Sequence, residues 1–197
     1  RHFDHFLAPN VAGTVATQLP NQTYLLAGAT ALAEAATEDA PVGLGIGELT
    51  LRATTTTIVS IQQPGQPWLL STGRSLFMRA RGKIGDITNE DFVCGLFTAG
   101  TVASGVVTPA VLMTAAAPPV LPADFMTFFV DGSVAAGLLN FRSQVTASGS
   151  TVSTGISMVN DTYIDLAFIV RNRLAGAAAL AKTIYVYVNG ALTNSLE

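Results

Sequence analysis

Tyr163–Val170 (YIDLAFIV) and Ile184–Val188 (IYVYV), the second followed at once by Asn189 and Gly190, ask for strands. Both runs are dominated by β-branched and aromatic residues, which fit a pleated, half-buried surface. Asn-Gly directly after an alternating strand is a hairpin signal, because a two-residue type I′ turn needs positive φ at both central positions. The segment from Arg171 to Lys182 reads as a flexible connection.

Upstream, the same pattern recurs. Leu138–Val145 and Thr151–Met158 read as strands divided by a turn at Ala147–Ser150, and Asn160-Asp161 reads as a further turn. Phe125–Val130 is a strand closed by the Asp131-Gly132 turn signal. Phe92–Phe97 is apolar throughout, the pattern of a strand buried on both faces. In Ser75–Ile84, alternation puts Leu76, Met78, Ala80 and Gly82 on one face. Phe77, Arg79, Arg81 and Lys83 fall on the other, which reads as solvated. Asp86–Asp91 is a polar turn. Short strands at regular intervals predict an all-β chain built as an antiparallel β-sandwich or barrel.

The first part of the chain reads differently. Residues 29–40 (ATALAEAATEDA) are helix-like but present mostly Ala as a core stripe, so a loop fits equally. The glycines of Gly43–Gly47 (GLGIG) follow. From Glu48 the run ELTLRATTTTIVSIQQ turns to strand, broken by Pro64-Gly65 and Pro67. Residues 98–123 form a low-complexity bridge of Ala, Val, Thr, Gly and Pro, read as a long loop or insertion. The expected organisation is an extended N-terminal arm or extra layer over residues 1–47 and a β-sandwich domain over 48–197.

Composition narrows the function classes. The chain has 197 residues, within the range of one domain. Charged residues make up 12%, and the net charge is −3 with no basic block, which argues against a nucleic-acid binder held by phosphate contacts. No run of 18 apolar residues occurs, so no membrane-spanning helix is expected. A mean hydropathy of +0.45 with so few charges suits a surface that partners cover. The single cysteine, Cys94, excludes an internal disulfide and multi-cysteine zinc sites. Eight of the ten basic residues are Arg, the type enriched at interfaces where Lys is depleted.

Catalytic constellations are not evident. Glu90 and Asp91 are adjacent, so a strand would send them to opposite faces. Asp161 and Asp165 are four apart; the first reads as a turn cap and the second as a solvated position. The two histidines, His2 and His5, lie at the N-terminal end of the sequence, far from the positioned His that a Ser-His-Asp arrangement needs. Cys94 falls within an apolar strand and reads as an inert buried thiol. The chain is therefore expected to be no enzyme and to need no cofactor for catalysis.

Ser75–Gly82 (SLFMRARG), then Asp91–Phe97 (DFVCGLF), Asp161–Phe168 (DTYIDLAF) and Thr183–Gly190 (TIYVYVNG) resemble, in this order, a concanavalin A-like, laminin-G-like jelly roll. The resemblance covers roughly residues 48–197. It is most similar to the versions encoded in tailed-phage structural gene clusters. Members continue past the closing hairpin with one or two more strands, whereas here the sequence ends at Glu197.

The resemblance implies a non-enzymatic virion structural protein, a capsid decoration (cement) protein on the capsid exterior. Its partners would be the major capsid protein and further copies of itself, as a homo-oligomer such as a trimer. The resemblance leaves calcium open as the one cofactor, with Asp131 and Asp161 as the candidate ligands, although aspartates at turns ordinarily make local turn bonds. Arg1, His2, Phe3, His5 and Phe6 in the arm, with Arg74, Arg79 and Arg81 around one strand, are the candidate partner contacts; those three arginines equally suit a plain solvated face. The alternative is a carbohydrate-binding, lectin-like module of a tail fibre or head spike. For that, Tyr185 and Tyr187, two apart on one strand face, form the aromatic platform, with Trp68 as a further candidate.

Overall fold

A computed structural model describes residues 74–88, 92–97, 124–130, 137–145, 148–172 and 182–196, together with five short strands nearer the N-terminus. Those five are β1 (Thr17–Gln18), β2 (Leu25–Gly28), β3 (Ala36–Asp39), β4 (Glu48–Leu51) and β5 (Val59–Gln62). The other eight are β6 (Ser75–Gly82), β7 (Phe92–Phe97), β8 (Phe125–Val130), β9 (Leu138–Val145), β10 (Ser148–Ser157), β11 (Ile164–Asn172), β12 (Lys182–Val188) and β13 (Ala191–Leu196). No helix occurs among the described residues. The chain divides into two compact units, Arg1–Gly65 with Ala99–Leu112, and Gln66–Thr98 with Met113–Glu197. The sequence had put the first boundary after Gly47.

In the first unit, β1, β2 and β5 form a three-stranded antiparallel sheet, and β3 pairs with β4. The helix-like stretch at 29–40 is corrected in its last part: Ala36–Asp39 is a strand hydrogen-bonded to Glu48–Leu51. Alanine's helix propensity is a weak prior, and a neighbouring strand that offers a ladder overrides it. The long run from Glu48 splits in two, β4 serving β3 and β5 serving β2.

The second unit holds two four-stranded antiparallel sheets, in the orders β10-β9-β8-β7 and β13-β12-β11-β6. The first is a meander of consecutive strands. The second joins the β11-β12-β13 meander to β6, its partner from early in the unit, in unbroken register from Ile164↔Gly82 to Arg171↔Ser75. One cluster of buried side chains draws on both sheets: Phe128, Val130, Leu139 and Phe141 from one, Leu166, Phe168, Val170, Val186 and Val188 from the other. The unit is thus a β-sandwich. Three rings span its middle. Phe128 and Phe141 stand edge to face at 5.1 Å, and Phe168 of the opposite sheet meets them at 6.3 and 5.4 Å. Such aromatic pairs add to simple area burial.

Local chemistry closes the elements. Asn189 and Gly190 have φ of 51° and 78°, the two positive values that the type I′ hairpin between β12 and β13 requires. The Asn189 N–H donates to the Asp165 carbonyl at 2.8 Å, and the Asp165 N–H donates back to Asn189 Oδ1 at 3.0 Å. The side chain thus does what a strand carbonyl would do and ties the hairpin tip to β11. Just ahead of β11, the Asp161 N–H donates to the Ile84 carbonyl and the Ile87 N–H to Asn160 Oδ1, both at 2.9 Å. These bonds pin the turn at Asn160-Asp161 to the segment after β6. There Asp86 Oδ1 accepts the Thr88 N–H at 3.0 Å, as a polar turn should.

Edge strands β10 and β13 each carry a register shift. In β13 the extra residue is Thr193, whose hydroxyl donates to Val186 at 3.1 Å. In β10 the shift lies between Ser153 and Ser157, and Thr154 donates to the Leu139 carbonyl at 2.8 Å. Bulges of this kind twist an edge away from further pairing.

Three sequence expectations are adjusted in this unit. Ser148, Gly149 and Ser150 belong to β10, in register with Val145, Gln144 and Ser143, and not to the turn. Arg171, Asn172 and Lys182, assigned to a flexible connection, extend the β11–β12 ladder. Phe92–Phe97 is half-buried along its whole length, and the strand buried on both faces is its neighbour β8. A run of apolar residues identifies a strand but not its place in the sheet.

Candidate docking surface

The core-facing side of the β13-β12-β11-β6 sheet determines what its other side presents. β6 alternates exposed and half-buried residues along its whole length. Leu76 and Met78 pack against the core, so Phe77, Arg79 and Arg81 point away from it. The same parity on β11 sends Asp165, Ala167, Ile169 and Arg171 outward, and on β12 it sends Tyr185 and Tyr187. Register arranges these in rows. Phe77, Ile169, Tyr185 and Ser195 lie side by side, and the next row is Arg79, Ala167, Tyr187 and Leu192.

The result is an apolar, aromatic stripe flanked by cations. Phe77 is 56% exposed, Leu192 54% and Tyr163 43%. Arg81 lies 4.9 Å and Lys83 5.3 Å from the centre of the Tyr163 ring, and Arg171 lies 5.3 Å from that of Tyr185. Cations held over aromatic rings keep part of their charge directed at whatever approaches. The carboxylate on this face, Asp165, accepts from Arg79 Nη2 at 3.2 Å. That pair is exposed enough to add at most about 1 kcal/mol, and Arg81 and Arg171 are exposed on the same face.

The structure places the sequence candidates unevenly. Arg74, Arg79 and Arg81 are exposed at or on β6, and Tyr185 and Tyr187 are half-buried on the same outer face. Arg79 and Arg81 of β6 and Tyr185 and Tyr187 of β12 therefore share one surface that the sequence treated as two separate sites. Arg1, His2, Phe3, His5, Phe6, Trp68 and Asp131 lie outside the described residues. Asp161 occupies a turn with φ of 55° ahead of β11, and Asp165 is on the strand itself, so alternation does not join them on one face. Among the described residues no group of three or more His, Cys, Asp or Glu side chains comes together to hold a metal ion. Cys94 is half-buried as a residue, but its thiol packs against the core, and burial pushes it up from 9.0 to about 12.

Tyr163, Lys83, Arg171 and Leu192 were not among the sequence candidates. The signal for Tyr163 and Arg171 was present, since both share the parity of Asp165, Tyr163 just ahead of β11 and Arg171 on it. Leu192 carried none, because its outward position depends on the bulge at Thr193 that resets the alternation of β13. No protein-family model matches the chain, and no curated protein or solved structure matches it either.

Proposed function

We propose that the chain is a non-enzymatic structural protein of a tailed-phage virion: a decoration protein that docks on the major capsid protein at the capsid exterior as a homo-oligomer. In this reading its sandwich belongs to the concanavalin A-like, laminin-G-like jelly-roll class, and residues 1–47 are the arm that reaches the shell. The observation that carries it is the outer face of the β13-β12-β11-β6 sheet, where exposed Phe77, Tyr163 and Leu192 stand among Arg79, Arg81 and Arg171. Exposed aromatics with arginine are the composition of protein interfaces. The pairing of SLFMRARG, DTYIDLAF and TIYVYVNG as neighbours in one sheet supports the family resemblance, which supplies the virion assignment.

The test is quantitative mass spectrometry of purified virions separated into heads and tails. High copy number in heads relative to the major capsid protein is expected. Absence from particles overturns the virion reading.

A second reading is a carbohydrate-binding module, favoured by Tyr185 and Tyr187 on the same outer face. Glycan binding lost on Tyr185→Ala with Tyr187→Ala, together with a few copies confined to tails, would select it over decoration.

A further inference from the structure

Asn189 is the one asparagine in the sequence that a glycine follows. An asparagine in that setting can close a five-membered ring with its own backbone. The Gly190 nitrogen attacks Asn189 Cγ, a C–N bond forms and the Cγ–Nδ2 bond breaks. The Gly190 amide proton passes through solvent to Nδ2, which leaves as ammonia. Water then opens the cyclic imide at one of its two carbonyls. One opening gives ordinary aspartate, and the other gives isoaspartate, whose main chain runs through Cβ. No oxidant or reductant takes part. Glycine favours the reaction because it has no Cβ to obstruct the attacking nitrogen.

The hairpin between β12 and β13 holds the reacting atoms apart. Asn189 and Gly190 are both exposed, so burial is not what protects them. Their φ values of 51° and 78° belong to a type I′ turn, in which ψ of the first central residue is about +30°. At that ψ the Gly190 nitrogen lies nearly opposite Cβ across the Cα–C bond, whereas ring closure needs the two on the same side. The side chain is held as well. Asn189 Oδ1 accepts the Asp165 N–H at 3.0 Å, and the Asn189 N–H donates to the Asp165 carbonyl at 2.8 Å. Both bonds tie Asn189 to β11, so the reactive conformer requires the tip to leave β11 and the turn to flip.

We infer that Asn189 is a covalent modification site, converted by its own Gly190 nitrogen and water, that the folded hairpin keeps closed. The two products differ in what they do to the fold. Aspartate retains the two-residue turn and an acceptor for the Asp165 N–H. Isoaspartate adds one main-chain atom between Val188 and Ala191, which stand directly across from each other, and the tight turn has no room for it. A chain that opens and reacts this way refolds without its closing hairpin.

The experiment incubates the full chain at about pH 8 over a series of urea concentrations, from none to beyond unfolding. Mass spectrometry of the tryptic peptide 183–197 reads the replacement of NH2 by OH, and fragmentation separates Asn189 from Asn194. The free peptide 183–197 in the same series corrects for any effect of urea on the chemistry. Conversion at Asn189 in the native chain is expected to be at least about tenfold slower than in the unfolded chain. It should rise along the unfolding transition to the rate of the free peptide. Equal rates in native and unfolded chains overturn the inference.

A second measurement reads the consequence. The isoaspartyl chain, purified after reaction in urea and refolded, should melt below the parent, with faster hydrogen exchange in β12 and β13. Asn189→Asp should melt close to the parent, which separates the extra main-chain atom from the added charge. An isoaspartyl chain that melts with Asn189→Asp overturns the structural half of the inference.

Discussion

The two sheets of the sandwich obey the same alternation and end in opposite situations. On β8, Phe128 and Val130 face the core, yet the residues pointing the other way are buried too: Phe125 and Phe129 are each 3% exposed and Thr127 is fully enclosed. On β6 and β11, the residues pointing away from the core include Phe77 and Arg171, which are exposed. Each outer face carries an arginine on an aromatic ring. Arg142 lies 5.6 Å from the centre of the Phe125 ring and is half-buried, with Nη2 donating to Gln144 at 2.9 Å. Arg171 over Tyr185 is exposed. An arginine stacked on a ring is therefore not in itself a binding feature. Exposure of the stack separates a packed surface from one open to a partner.

That contrast is open to attack, and its sharpest test is in the core. Phe168→Ala removes the ring that joins Phe128 and Phe141 across the sandwich. A loss of about 3–5 kcal/mol is expected, read by urea denaturation. Phe77→Ser, on the same sheet but the other face, should stay within about 0.5 kcal/mol. A large loss from Phe77→Ser would mean that the outer face is part of the folded body after all.

Gly95→Ala tests the close approach of β7 to β8. A Cβ there runs into the Met126 carbonyl and Thr127, both backbone-anchored neighbours. Overpacking of this kind costs about 1–3 kcal/mol, measured as a lower melting temperature. Gly190→Ala puts a side chain at a φ of 78°, and about 1–2 kcal/mol is the expected loss. Hydrogen exchange should show the loss at the β12–β13 hairpin first.

Cys94 has no effect near neutral pH and a signed one above it. Its folded thiol is held up at about 12, against 9.0 ordinarily. Above pH 9 the unfolded chain releases this proton while the folded chain keeps it. The unfolded state then binds fewer protons, and stability falls as pH rises from 9 towards 12. Cys94→Ala should flatten that part of the pH profile, and a thiol reagent at pH 8 should label the native chain far more slowly than the urea-unfolded one. The smallest effect belongs to Arg79→Ala. Its exposed pair with Asp165 is worth at most about 1 kcal/mol, and equilibrium unfolding at low and high salt should show the difference shrinking with salt.

Much of the sandwich was legible because its signals are local. Alternation in Ser75–Gly82 assigned Leu76 and Met78 inward and Arg79 and Arg81 outward, and β6 adopts that pattern. Asn189-Gly190 named its own turn because few other pairs tolerate two positive φ values. Signals that depend on a partner were not legible. Ser148–Ser150 reads as a turn by composition and becomes strand because β9 offers hydrogen bonds beside it. Ala36–Asp39 reads as helix or loop and becomes strand because β4 does the same. The two tyrosines and the arginines of β6 were read as separate sites, since nothing in the chain order says that β11 lies between β6 and β12.

The sequence by itself determined the all-β character of the described residues, the inward and outward parity of β6, and the hairpin at Asn189-Gly190, because backbone sterics and a period of two act over a few residues. Only the tertiary structure decided that β6, β11, β12 and β13 are neighbours, that β8 is buried on both faces, and that Phe77, Tyr163, Arg171 and Leu192 form one surface. Those facts depend on which distant strands satisfy each other's hydrogen bonds, and that choice is made by the whole core at once.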